Sequence, residues 1–385
     1  LPLGGYVKIA GMIDESMDKE QMAKPPKSWE FRSKPSWQRL IIMLGGVTVN
    51  FIMAIIIYIG LAYSYGSSSI SLGSIKDGFV ITNPILTEAG FRTGDKIITV
   101  DGQTLETYSD LRKSIIGSTN YQVERDGNIV EIQLPVDFLG KLSSSDDMST
   151  FEFRRPFIIQ SVSDESLNKD YDIRQGDRIV SVNGQEIKFA DQLDPLLQQN
   201  SNQTIEVELI RDTFRIKKTL NVDEDGKLGI MYGATVQNMV DLGLMKVSIN
   251  SYSFLESIVA GTNRFISFTG FYIEQFVAIF NPSTGAYKGL GGFISIGNIF
   301  PSTWDWQSFW NTTAFLSIML GVLNLLPIPA LDGGHAMFLV YEMVSGRKPS
   351  DKFMETVQVI GFIILLALVI FANGNDIYKL FNFIV

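Results

Sequence analysis

LIIMLGGVTVNFIMAIIIYIGL, residues 40–61, carries no charged side chain, and the charge-free interval around it runs from Arg39 to Lys76. A helix needs about 20 such residues to cross roughly 30 Å of hydrocarbon, so the stretch predicts a membrane span. Two further intervals behave alike. Between Asp305 and Asp332 there is again no charge, with Phe309–Leu326 as the apolar core. From Thr356 to about Ala372 the chain is nearly all aliphatic and aromatic. Helices buried in a large soluble protein are the alternative, but three separate runs of this length and purity are hard to bury that way.

Between the spans lies a long polar insert, and orientation follows from the basic residues that flank them. Lys8, Lys19, Lys24, Lys27, Arg32, Lys34 and Arg39 precede the first span, and Arg347, Lys348 and Lys352 lie between the later two. Both groups are expected on the cytoplasmic side, and the insert from about Gly66 to Trp304 outside. The stretch 254–280 is apolar but interrupted by Glu256, Arg264 and Glu274. It predicts one or two amphipathic helices on the outer surface or beneath the insert; a fourth span is the other reading.

The insert contains a duplication. FRTGDKIITVDGQTL (91–105) matches IRQGDRIVSVNGQEI (173–187). A helix-period segment follows each, with Leu111 and Ile115 against Leu193 and Leu197. Strand pairs come next, turning at Asp126-Gly127 and near Asp212. Aligned features in this order mark an internal repeat. The Gly-Asp turn feeds a buried strand, and Asp-Gly or Asn-Gly supplies the positive φ that folds the chain back. The unit resembles the PDZ domain of bacterial proteases, which binds extended peptides by adding a strand to a sheet edge. A duplicated β-rich module without a ligand is the plainer reading. Ser- and Asp-rich 140–150 is expected to link the copies.

The fold class expected is therefore a polytopic α-helical membrane protein with two inserted α+β PDZ-like domains. The expected division is as follows. Residues 1–39 form a cytoplasmic or membrane-associated loop with a glycine hairpin, and 40–61 the first span. The modules occupy 66–138 and 151–224, and an amphipathic connector occupies 225–304. Residues 306–328 form the second span, 329–353 a motif with a short cytoplasmic helix, 354–373 the third span and 374–385 a tail.

Composition narrows the chemistry. The chain has 385 residues, no cysteine, one histidine (His335) and a net charge of −9. Disulfides and thiolate metal sites are excluded, and no concentrated basic face points to nucleic acid. The chain starts at Leu1 without a visible signal peptide and reads as the remainder of a longer protein.

The sharpest local signal is NLLPIPALDGGH, residues 324–335. Pro327 and Pro329 stop regular helical hydrogen bonding. Non-helical backbone at membrane depth is tolerated only where protein buries it or where it lines a wet cavity. Asp332 sits in this broken stretch. A carboxylate at the bilayer centre costs about 2.5–3.5 kcal/mol on insertion scales, which marks a functional site; as an alternative, Asp332 caps the next helix. Asn324 is the other candidate, either hydrogen-bonding a substrate backbone or developing oxyanion, or bonding a neighbouring helix.

The N-x-x-P-x-P-x-L-D-G-G pattern from Asn324 to Gly334 resembles a signature of the site-2 metalloproteases, membrane zinc enzymes that cut within the bilayer. PLGGYVK at 2–8 resembles the hairpin after that family's first helix, and GVTVNF at 46–51 its G-P-x-x-N-F. The order of elements is that of the bacterial regulator-of-sigma-E protease type. The resemblance implies a zinc-dependent intramembrane endopeptidase with Zn2+ as cofactor and Asp332 as a zinc ligand. It implies that Gly4, Gly5, Tyr6, Pro327 and Pro329 contact substrate, with the glycine hairpin offering an edge strand; a soluble loop is the other reading of that hairpin. It gives His335 no metal role. The family's H-E-x-x-H, which brings two histidines and a general-base glutamate, is absent here and expected before Leu1. The fragment as given is then expected to be inactive and to bind zinc weakly. Val47 and Phe293 stand where the family usually has proline, and Met319 where some relatives have asparagine.

Implied partners are a transmembrane protein substrate such as an anti-sigma factor or signal-peptide remnant, peptide C-termini or extended peptides at the modules, and the lipid bilayer. The implied location is the bacterial inner membrane, with the modules periplasmic or extracellular. The rival reading is an inactive membrane adaptor that binds peptides through its tandem modules. A transporter would need intramembrane charges on several helices and repeated helical halves, which the sequence lacks.

Overall fold

The computed structural model describes residues 9–11, 25, 27–145 and 147–384. The chain divides into two compact units, Leu1–Ser67 with Asn250–Phe280 and Tyr287–Val385, and Ser68–Ile249 with Asn281–Ala286.

Helix α1 (Ser36–Tyr65) is the first of three helices among the described residues that are long and apolar enough to cross a membrane. It exceeds the expected 40–61 by about one turn at each end. Pro35 starts it, its carbonyl taking the N–H groups of Gln38 and Arg39.

The inserted unit begins with β1 (Ser67–Ile70). The first module runs β2 (Phe79–Val80), β3 (Lys96–Val100), α2 (Tyr108–Ser114), β4 (Asn120–Arg125), β5 (Asn128–Gln133) and α3 (Phe138–Ser143). It is completed by β6 (Glu152–Phe153), which returns to pair with β2, Phe79 opposite Phe153. The second runs β7 (Ile159–Val162), β8 (Arg178–Val182), β9 (Gln185–Glu186), α4 (Leu193–Gln199), β10 (Thr204–Arg211) and β11 (Phe214–Asn221). Here β12 (Ile230–Tyr232) returns to β7, Tyr232 opposite Ile159. The main sheets are ordered β3-β4-β5 and β11-β10-β8-β9, and β13 (Val247–Asn250) closes the insert by pairing with β1.

The copies are wired alike. Asp95 and Asp177, both buried, accept the N–H of Arg92 and Arg174 at 2.8 and 2.9 Å. Each also receives two nitrogens of one guanidinium, from Arg125 and Arg211 respectively. Asp101 and Asn183, both at positive φ, accept the N–H of Asn120 and Glu206, each at 2.9 Å. Asn83 and Asn168 are fully buried, and each gives its amide to a carbonyl of the loop before the returning strand, Ser149 and Leu228. Such bidentate and buried amide bonds fix the geometry of a turn more firmly than a single exposed contact does.

These returning strands move the expected boundaries. The stretch 140–150 is not a free linker, because Phe138–Ser143 is helical and Phe138 and Phe151 lie in the first module's core. The first module therefore extends through Phe153, and the second recruits Leu228 and Ile230 from the expected connector. Burial is the cause: without β6 and β12, the faces of β2 and β7 would be left open.

The other unit resumes with α5 (Phe254–Phe280), one unbroken helix. Its first turns run antiparallel beside α1. Phe254 meets Tyr63 with ring centroids 6.1 Å apart, Gly261 backs onto Ile59, and Phe265 meets Phe51 edge-on at 5.7 Å. The expected one or two amphipathic helices are thus a single helix whose first turns pack on α1. Arg264, the charge that interrupted the apolar pattern, stacks on Tyr58 at 5.0 Å and donates to Asn311 at 2.8 Å.

Then come α6 (Trp306–Leu325), α7 (Asp332–Ser345) and α8 (Asp351–Ile384). α6 packs antiparallel on α1 around Ala54, Tyr58, Ala314 and Ile318. The expected tail is helical, as α8 continues to Ile384. Its polar residues hold the segment before α6. Asn375 donates to the carbonyls of Lys288 and Leu290, and Asp376 accepts the N–H and hydroxyl of Ser295.

Candidate functional site

The site grows from the end of α6. Asp305 caps the start of that helix by accepting the Ser308 N–H at 2.7 Å. The helix stops at Leu325 because Leu326, before Pro327, turns to extended backbone (φ −60, ψ 142). The turn that follows is tight: Ala330 stands at φ 80, a left-handed conformation rare for a residue with a side chain. The Leu331 N–H then bonds the Ile328 carbonyl, and α7 begins at Asp332.

Glycines make this turn possible. A Cβ at Gly333 would lie 2.4 Å from the Leu325 and Leu326 carbonyl oxygens, and one at Gly334 2.4 Å from that of Ile328. On α8, a Cβ at Gly361 would come closer still to the Pro329 carbonyl oxygen, at 1.9 Å. The Asp-Gly-Gly start of α7 is thereby pressed against the end of α6, and the proline turn against α8. Asn324 and Asp332 stand at the two ends of the same turn, both half-buried.

Asp332 is not the N-cap of α7. Leu331 holds that position, without a side-chain cap. Among the described residues none donates a hydrogen bond to the Asp332 carboxylate, and none forms an ion pair with it. A half-buried carboxylate without a partner is costly, and the helix start offsets only part of that cost. A cation beside it would offset more, so this donor fits a metal. It does so as one ligand only. No group of three or more His, Cys, Asp or Glu side chains gathers among the described residues, and His335 is the chain's single histidine.

α1 backs the site from the other side. The Ser317 hydroxyl donates to the Asn50 carbonyl at 2.9 Å, and Gly321 leaves room for the Phe51 ring. Arg39, buried, joins Glu342 of α7 at 2.5 Å while its Nε donates to the Lys34 carbonyl. A buried pair of this kind fixes orientation more than it stabilises, and here it sets α7 against α1.

Of the residues singled out from sequence, the structure brings Asn324, Pro327, Pro329 and Asp332 to one turn. Pro327 is exposed and Pro329 half-buried. Gly4, Gly5 and Tyr6 lie outside the described residues. Gly361, Glu342 and the pairing of Arg39 with Glu342 escaped sequence reasoning. Gly361 carried a weak signal as a lone glycine inside an apolar run, a position that costs about 1 kcal/mol against alanine and so asks for a packing reason.

The chain belongs to Peptidase family M50, whose profile matches residues 1–368. It is similar to the regulator of sigma E protease of Haemophilus influenzae, 27% identical over 404 residues covering 99% of this chain and 86% of that one. It is 26% identical to the regulator of sigma-E protease RseP of Escherichia coli over 406 residues, with the same two coverages. A relative from Rickettsia conorii named "Putative zinc metalloprotease RC0203" is 27% identical over 382 residues, covering 99% of this chain and 84% of its own.

Proposed function

We propose that this chain is the larger part of a zinc-dependent endopeptidase of the bacterial inner membrane, cutting single-span proteins or signal-peptide remnants within the bilayer. The observation that carries the reading is the Asp332 carboxylate, without a partner among the described residues, on a glycine-packed turn where a span-length helix ends, in a chain of a peptidase family. Asp332 would hold the zinc as one ligand. The other ligands and the general base are not among the residues of this chain, and an H-E-x-x-H helix preceding Leu1 would supply them. Bound zinc would lower the pKa of a coordinated water to about 7, giving a nucleophile at neutral pH.

The chain's own residues do the rest. The Asn324 amide, at the far end of the turn, would hydrogen-bond the substrate backbone. The proline turn supplies non-helical backbone beside which an unwound substrate segment could lie, and the hairpin with Gly4, Gly5 and Tyr6 would add a strand to that segment. Unwinding is necessary because helix carbonyls are shielded by their own hydrogen bonds. The two modules are read as PDZ domains on the periplasmic side that take extended peptides or new C-termini.

The rival is an adaptor without catalysis that binds peptides through its two modules. Cleavage separates the two. With the complete protein reconstituted with a single-span substrate, the protease reading expects cleavage that Asp332→Asn abolishes. Absence of cleavage by the unaltered protein, with an intact H-E-x-x-H upstream, would favour the adaptor.

A further inference from the structure

The two modules are wired alike, but their peptide-receiving edges are not. In the first, Phe79 donates its N–H to the Asp95 carbonyl and accepts the Gly94 N–H. Both main-chain groups of Phe79 thus face β3, so the next residue, Val80, faces β6 and bonds its partner Glu152. Phe151 and Phe153 must then turn their main-chain groups to the opposite edge, the side of α2. In the second module Ile159 repeats the pattern with Asp177 and Gly176, and β12 takes the place of β6. An extended peptide adding a strand to either module would pair along that outer edge.

In the first module a side chain already occupies it. The Tyr108 hydroxyl, on the first residue of α2, donates to the Phe151 carbonyl at 2.6 Å. Its ring lies 4.3 Å from that of Phe153 and is stacked on Phe79 at 5.9 Å. Tyr108 thus takes the acceptor that an incoming peptide N–H would need, and its ring covers the strand. Burial raises the phenol's pKa above its ordinary value, so the hydroxyl remains a donor through the whole neutral and mildly alkaline range. Leu111 of α2 matches Leu193 of α4, so three residues earlier Tyr108 matches Ala190. Alanine has no side chain able to reach across to β12.

We propose that Tyr108 is an internal plug in the peptide-receiving edge of the first module, which admits a peptide only when Tyr108 swings out. The second module, with Ala190 in its place, is open. The proposal rests on reading the modules as peptide-binding PDZ domains. It makes the pair asymmetric: the second module can sample ligand at once, whereas the first must break a hydrogen bond and a ring stack before it binds.

The test is hydrogen–deuterium exchange on the complete protein in detergent micelles. The probe is a mixture of decapeptides with an apolar residue at a free carboxyl end. In the unaltered protein, peptide should slow exchange at 229–233 and leave 151–153 unchanged. In Tyr108→Ala, peptide near ten times its dissociation constant should slow exchange at 151–153 by about tenfold. Exchange in β3–β5 without peptide shows whether that variant keeps its fold. If it does not, Tyr108→Phe decides, because it keeps the ring and removes only the hydrogen bond. It should exchange faster at 151–153 without peptide and gain partial protection with it. Protection of 151–153 in the unaltered protein would overturn the proposal, and so would its absence from both variants while 229–233 is protected. Absence of protection in either module throughout would instead bring down the peptide-binding reading, and the plug with it.

Discussion

Gly361→Ala tests the packing beneath the candidate site. An added Cβ would lie 1.9 Å from the Pro329 carbonyl oxygen. Carbon–oxygen contacts close at about 3.3 Å, so α8 and the proline turn must part by about 1.4 Å. The obstacle is backbone, not the end of a flexible side chain, so the strain cannot be relieved by a rotamer change. Overpacking of this kind costs about 1–3 kcal/mol, and a loss of about 2 kcal/mol lowers a melting midpoint by roughly 4–8 °C. The internal control is Gly374→Ala on the same helix, where an added Cβ meets nothing within 4 Å. There alanine gains up to about 1 kcal/mol of helix propensity. Thermal unfolding of the two variants in micelles should therefore move in opposite directions. If Gly361→Ala melts at or above the unaltered protein, Pro329 does not lie against α8 and the turn geometry is wrong.

Arg211→Met leaves the buried Asp177 carboxylate without its guanidinium and should destabilise the second module at neutral pH, read as loss of exchange protection in β8 and β10. Burial by itself would raise the Asp177 carboxyl, but the Arg211 guanidinium and the Arg174 N–H outweigh it and hold it below the usual carboxylate range. A depressed folded-state value means the pair stabilises above the ordinary carboxylate pKa and loses that contribution as pH falls through the folded one, so the deficit of Arg211→Met should shrink in acid. Asn168→Ala orphans the Asn221 N–H and takes one of two donors from the Leu228 carbonyl, leaving it the Ser166 hydroxyl. It should cost about 1–3 kcal/mol and loosen the loop before β12, visible as faster exchange at 226–230.

Much of this architecture was legible in the residues. Three charge-free runs became three span-length helices, because length and apolarity act locally. The Gly-Asp and Asp/Asn-Gly turns were legible because positive φ selects so few residues. The returning strands were not. β6 is two residues long, too short to show alternation, and its partner lies 74 positions earlier, from Phe79 to Phe153. Asn83 and Asn168 escaped because they stand 12 and 9 residues before Asp95 and Asp177, so a gap hid the match. The Arg-Asp pair at 125–126 and 211–212 was a usable signal, since arginine precedes the turn residue in both copies. For α5 the interrupted apolar pattern left several placements open, and the contacts of Arg264 with Tyr58 and Asn311 are tertiary ones that the pattern did not announce. At the candidate site, the motif from Asn324 to Asp332 was plain in the sequence. The close approach of Gly361 to Pro329 is a tertiary contact whose partner the lone glycine in its apolar run does not reveal.

The most direct test of the central claim is the zinc content of the complete protein, purified with and without Asp332→Asn and measured by elemental analysis. If Asp332 is a ligand, the unaltered protein holds one zinc per chain and the variant loses most of it while its melting behaviour shows an intact fold. A variant that keeps its full zinc would contradict the assignment and leave the carboxylate on the turn without its proposed role.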